Sequence, residues 1–329
     1  MIKINNKIEK MKKSLSVLAV LFLTINIQAQ SHFLTLSSEL GVSGLTYKFE
    51  GDEGHKKSKF GWNAHLDYGY FFNKNWGIST GVGISHFQTV GGYNTPLSQG
   101  TYFNMGNQMT DDNFSPTSKD YQLRVRLGNW EEVQKGYIME VPILGMFQHK
   151  FGKAQKQGLY INLGIKLKIP LSATYQVQDG ESSDDYRLNV SGYFPSEDLE
   201  IGAPGEYYWG VPQHGFGSIS NPYESLGWEG DIEMTMGVSV VAEFGFSFQL
   251  ARWLDLLIGA YVDCAMNNMK KTTTKDMPLL IVPEQYLTGN NDGIGKGITY
   301  NGLLNSDEVS SMRTLSYGGK ISFKFTLRR

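Results

Sequence analysis

His65 and Asp67 stand two residues apart in a stretch, Phe60 to Phe72, where apolar and polar residues alternate. Successive strand side chains point to opposite faces, so this imidazole and this carboxylate share one face. The tight turn Phe72-Asn73-Lys74-Asn75-Trp76 folds the next segment back and sets Ser85 diagonally from His65. A hydroxyl, an imidazole and a carboxylate are the parts of a nucleophilic hydrolase, with Gly81 and Gly83 leaving room beside them. A slip of one residue in register dissolves the set. Ser85-His86 offers no such chemistry, because neighbours along a strand face opposite ways.

A second and larger group of residues suits charge pairing. Glu39, Asp67, Glu140, Glu243 and Asp263 fall on the polar face of their segments, as do Lys166, Lys168, Lys320 and Lys324. The segment of Lys320 lies between those of Glu39 and Asp263, and Glu140 is beside the segment of Lys166 and Lys168. Enclosed charges persist when paired, so this set reads first as a salt-bridged plug. Its rivals are a narrow channel opened by rearranged pairs and the hydrolase set; local motifs of barrel lipases and deacylases do not accompany the latter.

The elements that position these residues are strands of period two. In the last one, Ile321, Phe323, Phe325 and Leu327 share a face opposite Lys320, Ser322, Lys324 and Thr326. One face suits lipid and the other water. Seven further segments follow the rule: Phe33 to Tyr47, with its phase slipping near Gly44 as a bulge would; Phe60 to Phe72; one from Trp76; Tyr137 to Phe151, weakened by Pro142; one through Leu159 to Ile169; one through Met234 to Phe248; and Leu254 to Met266. Short turns follow the second, fourth and sixth, whereas Gly91 to Lys135, Gln176 to Gly230 and Asn267 to Arg313 are long polar excursions. The pattern predicts an all-β, antiparallel up-and-down transmembrane β-barrel of eight strands, with short periplasmic turns and long extracellular loops.

The ends and composition set the compartment. Lys10, Lys12 and Lys13 precede the apolar run Leu15 to Ile27 and then Ala29, the layout of a secretory signal peptide. Residues 1–29 are therefore read as a signal and 30–329 as the barrel domain, with Met1 or Met11 as the start. The apolar run is shorter than the ~20 residues that a spanning helix needs. With 30 Lys and Arg against 32 Asp and Glu there is no basic field for nucleic acid. Cys264 is alone, the six His show no metal-ligand spacing, and no cofactor is implied. Gly293-Ile294-Gly295-Lys296-Gly297 lacks the ending and flanks of a phosphate loop.

The segments Phe72-Asn73-Lys74-Asn75-Trp76-Gly77-Ile78, Tyr137-Ile138-Met139-Glu140-Val141-Pro142-Ile143-Leu144 and Gly164-Ile165-Lys166-Leu167-Lys168-Ile169-Pro170-Leu171 resemble those of the outer membrane protein β-barrel domain family, the OmpA/OmpX-like eight-stranded barrels. The resemblance covers the mature chain and implies the outer membrane as location. Lipid, lipopolysaccharide and the barrel assembly machinery are its implied partners. Two departures are long loops and a final Thr326-Leu327-Arg328-Arg329 in place of a terminal aromatic. The excursion Gln176 to Gly230 carries Asp179, Glu181, Asp184 and Asp185, then Tyr193-Phe194-Pro195, Tyr207-Tyr208-Trp209 and Trp228. Its aromatics suit a recognition surface for glycan, peptide or protein or a cap folded over the barrel mouth. The acidic residues lack calcium-loop spacing. The function read from all this is a structural or surface-binding barrel.

Overall fold

The computed structural model describes residues 31–50, 54–93, 97–104, 120–181, 185–194, 198–203, 216–271, 277–282 and 297–328. Residues 1–29, expected as a signal, Asp184, Pro195, Tyr207, Tyr208, Trp209 and residues 293–296 lie outside these, as does the side chain of Phe194. The described strands are β1 (Ser31–Phe49), β2 (Gly54–Phe71), β3 (Trp76–Tyr93), β4 (Leu97–Asn104), β5 (Asp120–Leu127), β6 (Trp130–Phe151), β7 (Gln157–Asp179) and β8 (Leu188–Phe194). They continue as β9 (Leu199–Ile201), β10 (Gly217–Ile219), β11 (Glu229–Asp231), β12 (Gly237–Ala251), β13 (Leu254–Ala265), β14 (Leu280–Ile281), β15 (Thr299–Tyr300) and β16 (Val309–Arg328).

Eight of these close a ring. The order is β7-β12-β13-β16-β1-β2-β3-β6, every neighbouring pair is antiparallel, and β6 returns to β7. The eight crossing segments of the sequence reading are therefore the eight staves of a barrel. Outside stand large apolar side chains, including Leu36, Leu66, Val82, Ile143, Leu163 and Phe244, all more than half exposed. Their neighbours Ser37, Glu39, His65, Asp67, Glu140 and Lys166 are buried inside. An apolar outside around a polar inside is the inverse of a soluble barrel and fits lipid.

Pro142 does not disqualify its strand. The β3–β6 ladder pairs Thr80 with Ile143 and Gly83 with Glu140 and leaves the positions between unpaired, while Pro142 keeps its place opposite Lys166 in the β6–β7 ladder. The missing N–H falls on one side only. The slip expected near Gly44 is not a bulge. The β1–β16 register runs unbroken from Phe33 to Lys48, and Leu45 and Tyr47 stay inside. What changes there is the filling of the barrel, from polar below to apolar above.

Real irregularities lie elsewhere. Tyr137 pairs with Ser172 but Ile138 with Pro170, so Leu171 is an extra residue in β7. Lys166 and Lys168 point inward below that bulge, and Ala173, Tyr175 and Val177 point inward above it. A second shift in β2 lies between Ser58 and Trp62.

The long excursions are not loops throughout. β6 has 22 residues and β7 has 23, about twice what a membrane crossing takes. Their upper halves, with β4, β5, β8, β9, β10 and β11, build an extracellular head whose second sheet runs β10-β8-β5-β4, with β9 on β8. Its core joins Leu123, Val125, Leu127, Leu188 and Val190 from that sheet to Leu45, Tyr47, Phe87 and Ile138 from the barrel.

Lipid exposure predicts that Leu36→Lys, near mid-height on the outside, costs about 2–4 kcal/mol in the folding equilibrium into vesicles. Ser37→Ala, one residue away and inside, is expected to cost much less. Urea titrations of the two variants beside the parent protein check this.

Candidate functional site

The lumen holds two stacked layers. Glu39 on β1, His65 on β2, Glu140 on β6, Lys166 and Lys168 on β7, Glu243 on β12, Asp263 on β13 and Lys320 on β16 are all buried. Lys166 Nζ lies 3.0 Å from Glu140 Oε2, 3.3 Å from Asp263 Oδ2 and 3.4 Å from Glu39 Oε2. In the ring β1 is four strands from β7, so this one side chain reaches across the lumen to the opposite wall. Lys168 Nζ is 2.7 Å from Glu140 and 3.2 Å from Asp263. Lys320 Nζ bridges Glu39 at 3.0 Å and Glu243 at 2.6 Å. Asn63 and Asn162 donate from their Nδ2 atoms to Glu39 and Glu243, each at 2.8 Å.

Three members sit differently from their expected places. Asp67 is buried in the lumen but forms no ion pair among the described residues, and its Oδ1 meets no hydrogen-bond donor. Asp263 pairs with Lys166 and Lys168, not with Lys320, which lies on the adjacent strand but four residues off in register, opposite Gly259. Lys324 is at the periplasmic end, 3.1 Å from Asp255 and beneath the rings of Phe33 and Phe71. Asp255 also takes Lys150 at 3.2 Å. Asp255 was missed because it opens β13 beside a turn, where alternation gives little signal.

The hydrolase set does not assemble. Ser85 is diagonal to His65, as the register Asn63↔Ser85 and His65↔Gly83 requires, but its Oγ donates to the Ile138 carbonyl at 3.3 Å. His65 Nε2 is turned to the carboxylates, 3.4 Å from Glu140 and 3.6 Å from Glu39. A Cβ on Gly83 would come within 2.2 Å of the His65 ring, so this glycine is the seat of the imidazole and leaves no substrate space.

Above the charges lies the apolar layer, and among the described residues it contains one buried carboxylate. Glu132, in the head part of β6, accepts from Tyr300 O–H and Leu303 N–H at 2.7 Å each and from Gln134 at 2.9 Å. It ties β6 to residues 297–308. Burial pushes its carboxyl above the ordinary range, against the pull of those donors, and also raises the Tyr300 phenol. Glu132 falls in a stretch expected as loop; the signal was the continued alternation Trp130, Glu132, Gln134 ahead of Ile138.

The expected aromatic surface divides. Trp228 is buried and stacks on Tyr300, with centroids 5.4 Å apart at 14°, and packs against Tyr223. It belongs to the cap. Tyr193 lies at the head's outer face, its O–H donating to Asp198 at 2.8 Å while Arg124 covers its ring at 3.7 Å. Arg126 and Ser191 hold Glu200 beneath them.

With the closed ring, lipid-facing outside and filled inside all in place, the architecture is decided. The molecule is an outer-membrane β-barrel. No protein-family model matches the chain, and no curated protein does. Among solved structures it is similar to Neisserial surface protein A (NspA), at 9% identity, covering 91% of this chain and 100% of that one, with a TM-score of 0.34. The outer membrane protein OprG from Pseudomonas aeruginosa gives 11%, 91%, 96% and 0.32 in the same order. The attachment invasion locus protein Ail of Yersinia pestis, solved with the heparin analogue sucrose octasulfate, gives 11%, 91%, 100% and 0.27.

Lys166→Met strands Glu39, Glu140 and Asp263 around one missing cation, and is expected to cost about 3–5 kcal/mol. Lys166→Met with Glu140→Met leaves Lys168 to Asp263 and Lys320 to Glu39, and most of that loss should return. Urea midpoints in micelles decide it.

The Glu132 carboxyl holds its proton more tightly folded than unfolded. Its contribution to stability is thus full below the ordinary carboxylate pKa and declines as pH rises through the raised folded value. Amide exchange of residues 297–308, corrected for intrinsic rate, should show weaker protection at about pH 8 than at about pH 4. Glu132→Gln should flatten that dependence.

Proposed function

We propose that this protein is a closed barrel serving as the rigid membrane base of a folded extracellular head, and that the head acts as a structural or binding element at the cell surface. The observation that carries this reading is Lys166 spanning the lumen to Glu39, roofed by the apolar core. An eight-stranded barrel is just wide enough for side chains to fill it, and here they do so twice over. Solute would have to displace buried ion pairs and then an apolar layer continuous with the head.

The head supports the binding half of the reading. Its core is shared with the barrel strands, so its outer face, with Arg124, Tyr193 and Glu200, is held in a fixed orientation to the membrane. A partner of glycan or protein chemistry suits an aromatic ring framed by charged groups. Among the described residues, His65 and Ser85 are both engaged by lumen partners.

Reconstituted in planar bilayers, the protein should give no stable unitary conductance. Affinity-tagged protein in native outer membranes should retain a surface partner, and Tyr193→Ala with Arg124→Ala should lose it while the barrel still assembles. A stable conductance would favour a narrow channel and overturn the closed-lumen reading; capture unchanged by the double variant would overturn the binding face.

A further inference from the structure

The lipid-facing surface of the barrel is not uniform at its upper rim. On adjacent strands β2, β3 and β6, Trp62, His86 and Tyr137 form an outward aromatic shelf, with Trp62 and His86 stacked at 6.2 Å and His86 and Tyr137 centroids at 5.2 Å. Amphipathic rings of this kind mark the headgroup level. One pleat repeat above Tyr137 on the same face is Lys135, in register with Gln88 and Thr174. Lys57 faces outward by alternation with Lys56, whose ammonium lies over the inward Tyr47 ring, and is in register through Val90 with Val133. Around the arc, Arg313 and Lys48 are diagonal neighbours on β16 and β1, with Thr46 opposite Arg313 and Ser311 opposite Lys48.

All four cations are exposed, and no carboxylate is within salt-bridge distance of them among the described residues. The acid above Lys135 on this face, Glu131, is engaged by His55 at 3.3 Å and Gln178 at 3.4 Å. The opposite rim differs, since Glu229 and Asp231 are exposed there beside β7, and Glu233 at the approach to β12 pairs with Lys271 at 3.1 Å. Cations along this arc, on the rim side of an aromatic shelf, face the depth at which a membrane carries phosphate.

We propose that this arc, Lys48, Lys57, Lys135 and Arg313 above the Trp62-His86-Tyr137 shelf, is a seat for the phosphorylated glycolipid of the outer leaflet, with the cations on its phosphates and the rings against the base of its sugar. Ammonium and guanidinium groups make strong, charge-assisted hydrogen bonds to phosphate oxygens. The seat orients the head by fixing one side of the barrel to bound lipid. It rests on residence in the outer membrane and not on the closed lumen.

The test uses the full chain refolded into phosphatidylcholine vesicles doped with bisphosphorylated lipid A or with lipid A stripped of its phosphates, followed by native mass spectrometry of retained lipid. The parent protein should retain the phosphorylated lipid preferentially, and Lys57→Gln with Lys135→Gln and Arg313→Gln should weaken that retention at least about 10-fold. Lys153→Gln with Lys156→Gln, at the periplasmic turn, should leave it unchanged. Arg313→Lys in the parent keeps the charge and the retention, and guards against a triple variant that fails to fold. Equal retention of the two lipids by inserted parent protein, or equal weakening by the periplasmic variant, overturns the proposal. A parent protein that never inserts overturns the membrane reading with it.

Discussion

Closure of the ring through β6 and β7 is the constraint on which the rest depends. In lipid no water meets a free N–H or C=O, so an open sheet edge is not tolerated and the ladder must return on itself. Two local features show how strictly this is kept. Pro142 sits where its missing donor interrupts only the β3 ladder, and the extra Leu171 is absorbed as a bulge rather than as a break in pairing. Closure with eight staves then fixes the bore, and the bore fixes what fills it.

The filling changes kind along the axis, and each layer solves a different problem. At mid-height the inward faces carry carboxylates and lysines whose isolation would be costly, and the geometry leaves each of Glu39, Glu140, Glu243 and Asp263 within 3.4 Å of at least one lysine. Breaking one member of such a set is far worse than never having it. Several of the contacts join non-adjacent strands, β7 to β1 and to β13 and β16 to β12, so the network acts across the ring as well as along it. Above it, the apolar layer lets the same strands serve as one half of a core whose other half is the head.

Much of this was legible in the residues. Period two located all eight staves, and the polar face of that pattern held every charged member of the mid-lumen layer. The alternation carries no information about distance across the lumen, so the sequence reading gave Asp263 to Lys320 when Lys166 and Lys168 reach it from two strands away. The reading failed where the environment of a face changed. Leu45 and Tyr47 mimic a phase slip because they are apolar at inward positions, and beyond Tyr137 the inward run Trp130, Glu132 and Gln134 mixes types as a loop does. Trp228 looked like a surface aromatic for a related reason: its stacking partner Tyr300 is remote in sequence, and no local pattern announces it.

The head follows from these same facts, and its place at the surface is set by strand continuity and not by docking. Strands β6 and β7 pass from the mid-lumen ion pairs to the apolar core without leaving their mutual ladder, shifting only at Leu171. A rotation of the head would therefore have to break that ladder or move Lys166 and Lys168 from their carboxylates. Glu132 adds a second tie, because a buried carboxylate fed by Tyr300, Leu303 and Gln134 is satisfied in one arrangement of residues 297–308 and unsatisfied in most others. A polar group of this kind contributes little net stability, but it selects a single packing among many apolar alternatives. The surface presented outward is thus held in register with the charge layer at mid-membrane, and its angle to the membrane is fixed by the lumen itself.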